Sequence, residues 1–127
     1  MKQIQTHKIV IIGAGHVGTH CALSLMLQQE VDELVLIDIA EEKARMQALD
    51  LNDAVSNLPH RVRVRAGDYT DCTDAPIVIM AAGKTRLPGQ TRLDMFDDSI
   101  AIMNSIVGPL KNSGFDGILV SISNPAD

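Results

Sequence analysis

The sequence predicts a doubly wound, parallel α/β sheet in strand order 3-2-1-4-5. Short apolar runs of strand length alternate with longer stretches of helical periodicity along the whole chain. The first run, Lys8–Ile12, leads straight into Gly13-Ala14-Gly15-His16-Val17-Gly18. The second run, residues 34–37, is closed by Asp38, about twenty residues past the last of these glycines. Strand, glycine turn, helix, strand and acid, in that order, are the context that makes G-x-G-x-x-G a dinucleotide-binding fingerprint rather than a packing turn.

The glycine turn explains its own composition. Gly13 allows a sharp strand-to-helix turn, Gly15 lets a pyrophosphate approach the backbone, and Gly18 lets the helix pack closely on the strand. The phosphates then meet free N–H groups at the positive end of a helix dipole, with Ala14, His16 and Val17 completing the seat. The Asp38 carboxylate is suited to both ribose hydroxyls. It would also repel a 2′-phosphate. Ile39 and Ala40 bring no cation to offset this, so NAD is expected as the cofactor rather than NADP.

The remaining elements follow in turn. Val17, Cys21, Leu25 and Met26 recur at helical spacing and predict the buried face of the first helix, which runs through Gln29. Residues 41–57 read as a second helix with Ala44, Ala48, Leu51 and Val55 on one side and Glu41 and Glu42 in its first turn. In residues 61–66, Val62, Val64 and Ala66 alternate with Arg61, Arg63 and Arg65. That pattern predicts an edge strand whose arginines face solvent. Residues 67–75 form a polar connection with one helical turn, and residues 77–82 a further buried strand. Leu93, Phe96, Ile100, Met103, Val107 and Leu110 predict a helix over 93–112, capped by Gly114. Residues 117–122 make the fifth strand, and Ser123-Asn124-Pro125 breaks away from it. Asn124-Pro125 is a candidate cis bond that would aim the asparagine into the crevice. The strand order reverses between the first and fourth strands, so ligands are expected over that crevice. The glycine turn, the 83–92 loop and Asn124 should converge there.

Composition narrows the partners. The chain has 127 residues, 46% of them hydrophobic, and a formal net charge of −5, which suits one globular domain over 1–127 and disfavours nucleic acid. With one tyrosine, two phenylalanines and no tryptophan, there is no stacking platform for bases. No apolar run approaches the roughly 18 residues of a membrane span, and the N-terminus shows no signal-peptide core. Cys21 and Cys72 form no C-x-x-C and read as free packing thiols, so a cytoplasmic location and no metal site are expected. His7, His16, His20 and His60 read as surface or cap residues.

The 83–92 loop, GKTRLPGQTR, concentrates Lys84, Arg86 and Arg92 with no acid among them. A solvated loop would ask nothing of these cations. A lid bending at Pro88-Gly89 would carry them onto an anionic substrate, and its position over the crevice favours that reading.

At this point the chain resembles the NAD-binding half of the L-lactate/L-malate dehydrogenase family. The likeness runs the length of the chain. It rests on the glycine turn, Gly67-Asp68-Tyr69 with Asp74-Ala75, Ala82-Gly83, Pro88-Gly89-Gln90-Thr91-Arg92 and Ser123-Asn124-Pro125 in order and spacing. The resemblance implies that Arg92 is the mobile arginine that polarises the substrate carbonyl. It implies that Asn124 hydrogen-bonds near nicotinamide and substrate, that Asp38 binds the ribose, and that Ala82 and Gly83 adjoin the cofactor. It also implies that Arg86 discriminates substrates. Lactate-type enzymes usually carry glutamine there and malate-type enzymes arginine, whereas residues 67–75 and 114–124 look more like the lactate and branched 2-hydroxyacid enzymes. Ser99 departs from the family's usual asparagine. The family's acid–base histidine, its aspartate partner and a further substrate arginine resemble nothing in this chain. Residues 1–127 are therefore expected to bind NAD weakly, to catalyse nothing alone, and to leave apolar surface bare that favours self-association. The full-length protein would act on a 2-oxo or 2-hydroxy acid as a homo-oligomer, a dimer or tetramer. A non-catalytic NAD-sensing module, or another two-domain NAD enzyme such as an NAD-dependent glycosidase, would share the sheet. The module would leave the three loop cations without a purpose, and the glycosidase would not be expected to carry the P-G-x-T-R loop.

Overall fold

The computed structural model describes residues 7–123. Its strands are β1 (Lys8–Ile12), β2 (Glu33–Ile37), β3 (Arg63–Ala66), β4 (Ile77–Met80) and β5 (Ile118–Ser121). The helices are α1 (His16–Gln28), α2 (Glu41–Val55) and α3 (Phe96–Asn112), with a 3-10 turn at Tyr69–Cys72. All strand pairs are parallel, in the order β3-β2-β1-β4-β5 that the sequence predicts. Each crossover returns the chain to the same edge of its strand, so the glycine turn and residues 38–40 and 81–83 gather at one end of the sheet.

The period of two along each strand sorts the core into two layers. Ile11, Leu34, Leu36 and Val64 face α1 and α2 and meet Ala22, Met26, Ala44, Ala48 and Leu51. Val10, Ile12, Val35, Ile37, Val78 and Met80 face the other way, onto Ile106 and Leu110 of α3 and onto Cys72 and Ala75. Central strands buried on both faces need unbroken apolar sequence, which is why β1, β2 and β4 lack polar alternation.

Three expectations are corrected. First, α1 fully buries Gly18, Ala22 and Met26; Cys21 and Leu25 pack half-buried against the same core, and Val17 is exposed. Polar Thr19, His20 and Ser24 are interleaved with the apolar residues and leave no dominant apolar stripe, so periodicity cannot choose a face. Close approach at the glycine turn selects the row with the smallest side chains. Second, α3 begins at Phe96 and splits its apolar residues. Ile106 and Leu110 are buried, with Ile102 and Met103 packed beside them, while Leu93, Phe96, Ile100 and Val107 stay exposed. Third, the arginines of β3 do not share one fate. Arg63 is exposed, but Arg65 is half-buried in an ion network.

That network joins four segments. The Arg65 guanidinium donates to Glu33 Oε1 at 2.8 Å and to Asp71 Oδ1 at 2.5 Å. Lys8, a buried cation, reaches Asp74 at 2.7 Å and Asp71 at 3.9 Å. The Arg65 hydrogen bond holds the Asp71 carboxyl below its ordinary range against the opposing effect of burial. Asp71 also accepts from the Asp68 backbone N–H while Asp68 accepts from the Thr70 N–H, a reciprocal capping box that pins the N-terminus of the turn. Cys72, within the turn, is buried, and burial pushes its thiol up to about 11, which makes it inert packing.

β5 ends the sheet with its outer edge unpaired among the described residues, and Ile118, Leu119 and Val120 are exposed. With Phe96, Ile100 and Val107 of α3, these residues are exposed apolar side chains at this end of the chain.

Candidate functional site

A cleft of about 540 Å³ opens at the carboxyl ends of the strands, within the range of small-molecule sites. Ile12, Gly13 and Gly15, residues 37–40 and residues 81–83 line it, together with Lys43, Tyr69, Ile102, Ser105 and Ile106, whereas Ala14 and Gly18 are buried and His16 and Val17 border a separate depression on α1.

The three glycines have separable functions. Gly13 sits at φ +105°, a left-handed conformation, and donates to the Ile37 carbonyl at 2.7 Å. A Cβ there would lie 2.6 Å from the Ala82 nitrogen. Gly18 backs directly onto the Gly13 carbonyl, and a Cβ would collide with it. Gly15 is different. An added Cβ would meet only Lys43 Nζ, at 3.9 Å. The lack of a side chain at Gly15 answers no packing demand; it leaves the backbone open to the cleft. Gly15 is also the N-cap of α1, with no side-chain cap and no acid in the first turn. The first N–H groups of the helix are thus left for an anion.

Asp38 stands beside this turn and is bonded to it. Its Oδ2 accepts from the Ala14 N–H at 2.8 Å and its Oδ1 from the Ala40 N–H at 2.9 Å. Two backbone donors fix the carboxylate plane, and each oxygen keeps lone-pair capacity for a hydroxyl. This donor set fits a dinucleotide, with diphosphate at the glycine turn and a ribose diol at Asp38.

Sequence reasoning missed Lys43 and Tyr69. Lys43 lies in the first turn of α2, beyond Ile39 and Ala40 where a cation was looked for, and one helical turn swings it back over Gly15. Its place in that first turn was the available signal. Tyr69 comes to the cleft only because the Arg65–Asp71 pair anchors the 3-10 turn; burial pushes its hydroxyl up and keeps it neutral. No local sequence signal marks that approach.

The basic loop does not close the cleft in this conformation. Ala82 and Gly83 line it, but Lys84, Arg86 and Arg92 do not. Lys84 is held by Asp98 at 3.0 Å, and Arg86 and Arg92 are exposed with no ion pair among the described residues. Leu87, the loop's apolar residue, is itself exposed, so nothing packs the loop down. Ser99 donates its hydroxyl to the Met95 carbonyl at 2.9 Å. Asn124 and its bond to Pro125 lie outside the described residues.

Comparison with known proteins agrees with this fold. The sequence model of the lactate/malate dehydrogenase NAD-binding domain matches residues 7–127. L-lactate dehydrogenase 2 of Lactococcus lactis subsp. lactis (strain IL1403) is 51% identical over 125 residues, covering 98% of this chain and 40% of that protein. L-lactate dehydrogenase 1 of Staphylococcus aureus (strain JH9) is 46% identical over 127 residues, again covering 40% of its length. Among solved structures, the ligand-bound minor L-lactate dehydrogenase of Enterococcus mundtii superposes with a TM-score of 0.90 at 46% identity, over 96% of this chain and 39% of that one. The NADH complex of Archaeoglobus fulgidus malate dehydrogenase gives 0.84 at 32% identity, over 93% of this chain and 40% of that one. The chain spans about 40% of the length of these relatives, and it belongs to the lactate/malate dehydrogenase family as a member of its NAD-binding-domain group.

Proposed function

We propose that this chain is the cofactor-holding part of an NAD-dependent L-2-hydroxyacid dehydrogenase of the lactate type. The observation that carries the reading is a bare, uncapped Gly15 and a doubly held Asp38 lining one cleft. The relatives support the lactate type, since the curated sequences at 46–51% identity are named as L-lactate dehydrogenases.

In this reading the α1 N-terminus and Lys43 bind diphosphate, and Asp38 orients the adenosine ribose. Ala82 and Gly83 form the floor beside the nicotinamide. Bound NAD(H) supplies or accepts the hydride. Arg92 swings in with the 83–92 loop and stabilises negative charge developing on the substrate carbonyl oxygen, where exclusion of water strengthens the guanidinium's field. Asn124 hydrogen-bonds beside it, and Arg86 sits at the substrate end of the loop. The proton-transfer histidine, its aspartate and the clamp arginine belong to the remainder of a longer protein. That protein works in the cytoplasm as a homo-oligomer on a small 2-oxo or 2-hydroxy acid.

Calorimetric titration of residues 1–127 tests the cofactor assignment. NADH is expected to bind, and NADPH at least about tenfold more weakly, a difference of about 1.4 kcal/mol from one unfavourable charge contact at Asp38. Equal affinity would remove Asp38 as the selector. No hydride transfer from NADH to pyruvate or oxaloacetate is expected from this chain alone, and measurable turnover would overturn the placing of the acid–base group elsewhere.

Arg86 favours a second reading, malate/oxaloacetate, because a guanidinium left unpaired by a monocarboxylate is costly. Sites built around such a polar contact discriminate by about 10⁴ to 10⁵. In the full-length enzyme, Arg86→Gln is expected to lower kcat/KM for oxaloacetate relative to pyruvate. An unchanged ratio would show that Arg86 selects neither substrate.

A further inference from the structure

We propose that His16 and His20 form a binding site for a borderline divalent transition metal ion, Ni²⁺, Cu²⁺ or Zn²⁺, on the exposed face of α1. The two histidines are four residues apart in one helix and both are exposed. That spacing puts their side chains one above the other on the same face, the arrangement by which helical histidine pairs chelate metals. Their ring centroids lie 6.4 Å apart with planes inclined at 36°, and the exposed His16 ring is open to rotation about its side-chain bonds toward His20. They border one shallow depression with Val17, Cys21 and Ser24.

The hydrogen bonding prepares one of the two ligands. His20 Nδ1 lies 2.5 Å from the His16 carbonyl oxygen. A carbonyl only accepts, so Nδ1 carries the proton and Nε2 presents its lone pair outward. A ring N–H donated to a backbone carbonyl is the support that metal-binding histidines commonly have, because it fixes tautomer and ring orientation. Imidazole nitrogen favours Ni²⁺, Cu²⁺ and Zn²⁺ over Mg²⁺ and Ca²⁺. Among the described residues no group of three or more histidines, cysteines or acids could hold a metal. The site is therefore a two-histidine chelate with water completing the coordination shell.

Calorimetric titration of the tag-free, reduced chain with NiCl₂, in the absence of any dinucleotide, tests the proposal independently of the cofactor reading. One Ni²⁺ per chain is expected, and MgCl₂ at the same concentration should give no binding heat. His16→Asn and His20→Asn should each weaken Ni²⁺ binding at least about tenfold, a loss of about 1.4 kcal/mol. Cys21→Ser should leave it within about twofold of the parent, since the half-buried thiol is not a ligand. Circular dichroism should show all three variants folded, because both histidines are exposed and Cys21, which packs half-buried on the core's margin, is replaced by a side chain of nearly its own size. Parental affinity in either histidine variant overturns the proposal. So does loss of binding in Cys21→Ser, which would mark a thiolate site, or transfer of the effect to His7→Asn or His60→Asn.

Discussion

Gly15→Ala is expected to abolish measurable NADH binding with the melting temperature unchanged, while Gly18→Ala unfolds the protein at a markedly lower temperature. The two glycines belong to one motif, but their surroundings differ. At Gly15 an alanine Cβ has open space apart from the Lys43 amine at 3.9 Å, and the residue's φ of −81° is ordinary for alanine. The methyl costs the fold only tenths of a kcal/mol but stands where the diphosphate must approach. At Gly18 the Cβ would run into the Gly13 carbonyl oxygen and would lie 3.3 Å from Ile11 Cγ2. Relief by moving Gly13 is blocked, since its N–H holds the Ile37 carbonyl and the space a Cβ would take on it is filled by the Ala81–Ala82 backbone. Alanine's better helix propensity returns about 1 kcal/mol, but an unrelieved backbone collision in a packed core costs about 1–3 kcal/mol and occasionally more. The collision wins. At the upper part of that range the net cost is about 1–2 kcal/mol, and near 4 °C per kcal/mol for a domain of this size Gly18→Ala should melt roughly 4–8 °C below the parent. Thermal unfolding by circular dichroism and titration with NADH read the two effects separately. Parental NADH affinity in Gly15→Ala would remove the glycine turn as the diphosphate seat. A parental melting point in Gly18→Ala would refute the packing argument.

Arg65→Met is expected to cost the fold toward the lower end of roughly 3–5 kcal/mol, the range for removing one partner of a buried ion pair. The low end applies because the Arg65 side chain keeps 32% exposure, against 18% for Glu33 and 16% for Asp71. Methionine replaces the apolar stem but leaves two carboxylates without their shared cation, and Lys8 reaches Asp71 only at 3.9 Å. The effect should depend on pH in a definite sense. Asp71 is held below its ordinary value mainly by the Arg65 hydrogen bond, whereas the unfolded chain restores a value near 4. The stabilisation is therefore complete above about pH 4 and is lost as pH falls through the depressed folded value. The gap in melting temperature between parent and Arg65→Met should be widest near neutrality and narrow below about pH 4. A gap that is absent at pH 7, or that widens in acid, would overturn the account.

The α3 stripe was legible only as a helix. Its six predicted apolar residues are more than one neighbour can cover, and the sheet takes Leu110 together with Ile106, a residue outside the stripe. Periodicity reports that a helix has apolar residues, not how many layers pack on it. The same holds for α1, where Gly18 and Ala22 are chosen over Val17 and Cys21 by a close approach that appears only when the turn is built. Arg65 was misread for a related reason. Alternation assigns it to an outward row with Arg63, yet Glu33 on the neighbouring strand pairs in register with Arg63 and still reaches Arg65. Cross-strand neighbours are set by pairing, which a single strand does not encode.

By itself the sequence determined the strand order, the parallel sheet, the glycine turn and the acid that closes β2. These are set by local conformational demands and hydrophobic period, which act over a few residues. The tertiary structure alone decided which glycine packs and which stays bare, that Lys43 and Tyr69 reach the cleft, that Arg65 joins an ion network, and that His20 turns its Nε2 outward from α1. Each of these depends on a distance between atoms that the chain brings together only by folding, and the chemistry available to the cleft is set by those distances.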